Sequence, residues 1–248
     1  MKRSLFFEGL VLLVGIIFAM SLLPASASAS GTIKLNPGAS LAIGSADVSG
    51  RGGSCQLPKV NCKGASAVST SSKIIRAKTR ATLSGKGSYW AKVGGRFFVS
   101  QGDSGQTYGQ ARITISGISY NGTVGALGIA AGKAILRMYV SGGPQKDILV
   151  AAGGGAAAQS FQNSNVSTSV EMEVKSGQTY DVYLEIVAAA GSGSMISPAD
   201  VNFYDGGKQA TYQNIKVDIL SAGAPVNVGN PGNGQVFFYD NYQCVTNN

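Results

Sequence analysis

From Val170 to Val187 the chain carries two runs of alternating apolar and polar residues, separated by Ser176-Gly177-Gln178. Val170, Met172 and Val174 alternate with Glu171 and Glu173; Tyr180, Val182, Leu184 and Ile186 alternate with Asp181, Tyr183 and Glu185. A period of two sends the apolar set to one face of a strand and the polar set to the other. The Gly-containing break predicts an antiparallel hairpin, or a corner at which the chain crosses between sheets. Each run then has one face on a core and one in water, as antiparallel sheets do.

The rest of the chain fits that scaffold. There are 35 glycines in 248 residues and only 13% charged residues. Glycine costs about 1 kcal/mol in a helix interior, so this composition suits short strands and tight turns. Further strands are expected at 74–83, 89–93, 96–100, 111–118, 135–141, 147–152, 211–220 and 235–239. Gly94-Gly95, Gly142-Gly143-Pro144 and Asp205-Gly206-Gly207 serve as turns between them. Strands at this spacing predict an all-β fold, an antiparallel β-sandwich of jelly-roll or immunoglobulin-like form. The expected organisation is a signal peptide over 1–29, an extended or irregular arm with a disulfide loop over 30–72, and the sandwich over 73–248.

Lys2 and Arg3 precede the apolar run Gly9–Leu23, then Pro24 and the small residues Ala25–Ala29. This is the layout of a secretory signal. Glu8 ahead of the apolar run is similar to the stem of a type IV pilin, in which the apolar segment is retained and forms the membrane contact. Export favours a disulfide between Cys55 and Cys62 across a loop that includes Pro58. Cys244 is left unpaired or intermolecular.

Charge is distributed unevenly. Ten bases and no acid lie between Arg51 and Arg96, whereas nine acids and three bases follow from Asp147 to the end. Arg76, Lys78 and Arg80 alternate along one strand and form a basic stripe. They suit an anionic surface polymer, or equally a solvated face that discourages edge pairing. Glu171, Glu173, Asp181 and Glu185 are expected on one side of the organising pair. They could be screened by solvent, hold Ca²⁺, which hard oxygen ligands suit, or meet the basic stripe of a second copy. Tyr183, on the polar face, is the candidate for stacking on a sugar, and Trp90 is assigned to the core.

With no histidine, the chain offers no Ser-His-Asp or Cys-His set and no zinc-type ligand spacing. No nucleic-acid recognition motif is visible. Paired carboxylates leave a glycoside-active enzyme as the remaining catalytic reading, and no enzyme is expected.

Val174–Ile186 with Ala199–Phe203 resembles the closing half of β-sandwich domains in bacterial exported surface proteins of the PEP-CTERM type, without their sorting tail. Gly177-Gln178-Thr179-Tyr180 is similar to the start of the tyrosine strand in immunoglobulin-like sandwiches. The expectation is a secreted surface or matrix protein, structural or adhesive, among whose forms is a self-assembling filament subunit. The alternatives are a carbohydrate-binding sandwich and a pilin-like subunit.

Overall fold

The computed structural model describes residues 30–56, 61–153, 156–192, 197–223, 238–240 and 243–245. These form sixteen strands and no helix. One sheet, sheet A, is built from β1 (Gly31–Lys34), β3 (Val48–Cys55), β6 (Lys86–Ser100), β8 (Ala131–Val140), β9 (Gln145–Gly153) and β11 (Thr179–Gly191). Sheet B contains β2 (Ser40–Ile43), β4 (Cys62–Ser69), β5 (Ile74–Ala81), β7 (Tyr108–Ala126) and β10 (Ala156–Lys175). It is completed by β12 (Ala199–Phe203), β13 (Gln209–Thr211) and β14 (Asn214–Gly223). All pairings are antiparallel except that of β1 with β6. The molecule is the expected antiparallel β-sandwich.

The alternation along each strand builds the core. Val93, Phe97, Leu136, Met138, Leu184 and Ile186 enter it from sheet A, and Ile75, Ile113, Ile115, Val201, Phe203 and Val217 from sheet B, all fully buried. Each such side chain contributes about 1.5–3 kcal/mol relative to an exposed one.

Of the two expectations for residues 176–178, the corner is the one observed. β10 ends in sheet B on β7, and β11 begins in sheet A on β6. Gly177 takes φ +79°, a conformation that glycine adopts without steric cost. Its N–H donates to Val99 O at 2.8 Å, and Ser176 N–H to Thr107 O at 2.9 Å. The Tyr180 hydroxyl accepts the Lys175 N–H at 3.0 Å, the back-bond a tyrosine corner makes.

Three expectations need correction. Gly94-Gly95 is no turn: both residues lie buried within the continuous strand β6. A Cβ on Gly94 would strike the Val182 carbonyl, and one on Gly95 would sit 2.5 Å from the Ile43 side chain. Here the glycines permit close packing rather than reversal. The segment 30–72 is not an irregular arm, since β1 to β4 lie within it and pair with both sheets. Its Gly, Ser and Ala content reads as loop locally, but small side chains also suit strands packed against bulky neighbours. Strands expected as short pieces are long, β10 reaching 20 residues by absorbing register shifts between Asn163 and Thr168.

Cys55 and Cys62 form the expected disulfide, with Cα atoms 5.6 Å apart. It links the end of β3 to the start of β4 and so ties sheet A to sheet B. Near the C-terminus β15 (Phe238–Asp240) pairs with β16 (Gln243–Val245) in a two-stranded ribbon. The remainder of the expected strand 235–239, the Cys244 side chain and the signal or stem segment 1–29 lie outside the described residues.

Candidate functional site

The register of sheet A sets its outward side chains in rows. One row runs Gly52, Trp90, Val187, Ile135 and Val150 across β3, β6, β11, β8 and β9. The next runs Gly50, Lys92, Glu185, Arg137 and Asp147, and the row beyond it includes Tyr183 and Tyr139. Three aromatic rings therefore surround Lys92. Its Nζ lies 4.2 Å from the Tyr183 ring centre, 5.7 Å from that of Tyr139 and 5.8 Å from that of Trp90, within cation–π range. Tyr139 and Tyr183 stack at 5.9 Å and 15°.

Trp90 belongs to this outward face and not to the core, which corrects the sequence expectation. Residue 90 is even in a strand whose odd residues, Ala91, Val93 and Phe97, point inward. The indole is half-buried and lies across β3. A Cβ on Gly52 would come within 3.0 Å of its Cε2, Cζ2 and Nε1, and one on Gly50 within 3.2 Å of Cζ3. Contact with several atoms of one ring face at two successive outward positions means the ring rests flat on the strand. The half-buried indole keeps part of its surface exposed.

Tyr183 is on the polar face, as the alternation requires, but is only 8% exposed. Lys92 and Tyr139 cover it, so it supports the platform and does not offer a stacking surface. Its hydroxyl donates to Asp181 Oδ2 at 3.0 Å. Burial, and then this bond, push the phenol up to about 12.

Two ion pairs flank the rings. Arg96 Nε and Nη2 donate to Asp181 Oδ1 and Oδ2 at 2.5 and 3.0 Å. Arg137 Nε donates to Glu185 Oε2 at 2.6 Å and its Nη1 to Gln145 Oε1 at 3.0 Å. Burial alone would raise the Asp181 carboxyl. Hydrogen bonds from Arg96 and Tyr183 outweigh it and hold the group below the usual carboxylate range.

The four acids expected on one face are divided by the corner. Glu171 and Glu173 lie on β10 in sheet B, and Asp181 and Glu185 on β11 in sheet A. The partners of the first two are Arg112, at 2.8 Å, and Lys175, at 3.6 Å. Among the described residues no group of three or more His, Cys, Asp or Glu side chains assembles for a metal ion, and the Ca²⁺ expectation loses its cluster.

Arg76, Lys78 and Arg80 do share the outward face of β5. Arg76 Nη2 donates to Gln209 Oε1 at 2.8 Å, and Lys78 pairs with Asp205 at 2.7 Å. Arg80 stands opposite Asp200 in register. Within one chain these contacts occupy charges that were expected to join two chains.

Reading the sequence alone missed Lys92 and Tyr139 as site residues. The even positions of Lys86–Lys92 already separate Trp90 and Lys92 from the inward residues. Bringing Tyr139 beside them requires the β8–β11–β6 register, which strand patterns do not carry.

No protein-family model matches the chain, and no curated protein matches it. Among solved structures it is similar to the carbohydrate-binding module TmCBM61 in complex with β-1,4-galactotriose, at 10% identity and a TM-score of 0.19. That match covers 64% of this chain and 87% of the other. A TM-score this low carries no argument about fold or ligand.

Proposed function

We propose that this chain is an exported, non-catalytic carbohydrate-binding β-sandwich protein that holds a glycan on the outward face of sheet A. The observation that carries the reading is the Trp90–Lys92–Tyr139 platform. Two half-buried rings share this face, and an ammonium lies 5.8 Å from one ring centre and 5.7 Å from the other. A sugar ring presents C–H groups on its faces and hydroxyls at its rim. Aromatic faces suit the first and fixed charged groups the second. The ion pairs Arg96–Asp181 and Arg137–Glu185 provide oriented donors and acceptors beside the rings.

Binding is favoured over hydrolysis by the state of the carboxyls. A glycosidase needs one carboxyl held protonated as general acid, whereas Asp181 is held ionised by Arg96 and Glu185 is engaged by Arg137. Export is supported by the layout of residues 1–29 and by the disulfide. An adhesive surface role is consistent with glycan binding and would be its biological form.

The test is retention on immobilised polysaccharides during native affinity electrophoresis. Trp90→Ala should weaken retention about tenfold, the scale of one lost aromatic contact, with little change in thermal unfolding. Retention unchanged in Trp90→Ala, or absent from every polysaccharide tried, would overturn the reading.

A further inference from the structure

On the same outward face, beyond the Trp90 row, the register continues through Ser54, Ser88, Ala189 and Lys133, and then through Lys86, Gly191 and Ala131. Here the surface sinks. Serine, alanine and glycine form the floor of a shallow open depression of about 340 Å³, with Lys86 and Lys133 at its sides and no acid in its lining. Both lysines are exposed, and among the described residues neither has an ion-pair partner.

The charge balance of the rows named here points the same way. Arg96 and Arg137 are neutralised by Asp181 and Glu185. That leaves Lys86, Lys92 and Lys133 against Asp147, the remaining acid in these rows. The distance from Tyr183 to Gly191 is eight residues of one strand, about 26 Å at the usual rise. A chain of several sugar units laid along β11 would meet the rings at one end and the lysines at the other. An ammonium can donate to the hydroxyls of a neutral sugar. Two unpaired ammonium groups over a floor of small residues gain more from a repeating anionic group, which adds charge-assisted hydrogen bonds, and an open trough admits a polymer where a closed pocket would admit only its end.

We infer that the outward face of sheet A binds an acidic polysaccharide, with Trp90 and Tyr139 taking a sugar face and Lys86 and Lys133 pairing with carboxylate or sulfate groups further along the same chain. This rests on the glycan-binding reading above and narrows it to an anionic class. Single-stranded nucleic acid shares the charge and the stacking. The polysaccharide is favoured because the chain carries an export signal layout and no nucleic-acid motif.

The experiment measures the full-length purified chain on gels containing polygalacturonate, dextran sulfate or neutral dextran, and competes each with oligothymidylate. Stronger retention by an acidic polymer than by dextran is expected, and it should weaken as salt is raised. Polygalacturonate and dextran sulfate distinguish carboxylate from sulfate as the recognised group. The double variant Lys86→Gln, Lys133→Gln should lose about fivefold in affinity for the acidic polymer, the scale of two exposed ion pairs. A control, Lys63→Gln with Lys208→Gln, removes the same charge from the sheet B side and should leave retention intact.

Equal loss in the control would reduce the effect to net charge and overturn the inference. So would equal retention on acidic and neutral gels, or displacement by oligothymidylate at concentrations below those of the polysaccharide. In these cases the glycan-binding reading survives if Trp90→Ala still releases the protein. It fails separately if Trp90→Ala is without effect, or if Asn163→Ala, at the amide-lined depression on sheet B, is the change that abolishes retention.

Discussion

The two outward faces of the sandwich use the same kinds of ion pair in different surroundings. On sheet A the side chains of Arg96 and Asp181 are 20% and 16% exposed, and those of Arg137 and Glu185 27% and 12%. On sheet B the values are 49% and 55% for Arg112 and Glu171, and 35% and 53% for Lys78 and Asp205. The sheet A pairs stand on the face that carries the aromatic rings, and Asp181 also accepts from the Tyr183 hydroxyl. The sheet B pairs stand in water. A carboxylate and a guanidinium thus act as a fixed polar frame in one place and as a solvated surface in the other, and the covering rings make the difference.

The largest effect should come from breaking the frame. Arg96→Ala leaves Asp181 charged and poorly solvated and should cost about 3 kcal/mol in urea unfolding. Arg112→Ala, the matched change on sheet B, should cost less than about 1 kcal/mol. Equal losses would remove the distinction between the faces. Next is the staple joining them. Replacing Cys55 and Cys62 with serine frees a seven-residue separation and should cost about 2 kcal/mol by loop-closure entropy, read as a lower Tm that matches the reduced wild type.

The acid response sharpens the comparison further. The folded Asp181 carboxyl titrates below its unfolded value of about 4. Its contribution is therefore complete above that pH and is lost as pH falls through the folded pKa. Asp181→Asn should flatten stability against pH below about 4. At the alkaline end Tyr183 reverses the sign. Its raised pKa of about 12 gives stability that is present below about 10, the unfolded value, and lost between the two. The smallest effect on stability belongs to Gly52→Val, whose added atoms would lift the indole from its seat. Because Trp90 is the sole tryptophan, its emission should shift to longer wavelength and glycan retention should fall while Tm changes little.

Much of the scaffold is legible in local pattern. Alternation places Tyr183, Asp181 and Glu185 outward and Leu184 and Ile186 inward, since strand geometry leaves a residue only two faces. Export spacing and a short loop bring out the Cys55–Cys62 pair. The same local logic misreads Gly94-Gly95, because glycine serves both as a turn former and as a space for a neighbouring backbone. It misreads Trp90 as core, because composition ranks a residue by its average burial and not by its parity in a strand.

Alternation of residue types fixes each strand's two-sidedness, and Ser176-Gly177-Gln178 fixes a break between the two runs. Whether that break folds as a hairpin or a corner was left to the tertiary structure, and the outcome separated Glu171 and Glu173 from Asp181 and Glu185. The partners of each strand were likewise decided only in three dimensions. Trp90 on β6 and Tyr139 on β8 are far apart along the chain, and nothing in their local patterns names one another. Pairing β8, β11 and β6 in one register aligns their outward residues at strand spacing, about 4.8 Å, and a platform appears that no single segment contains.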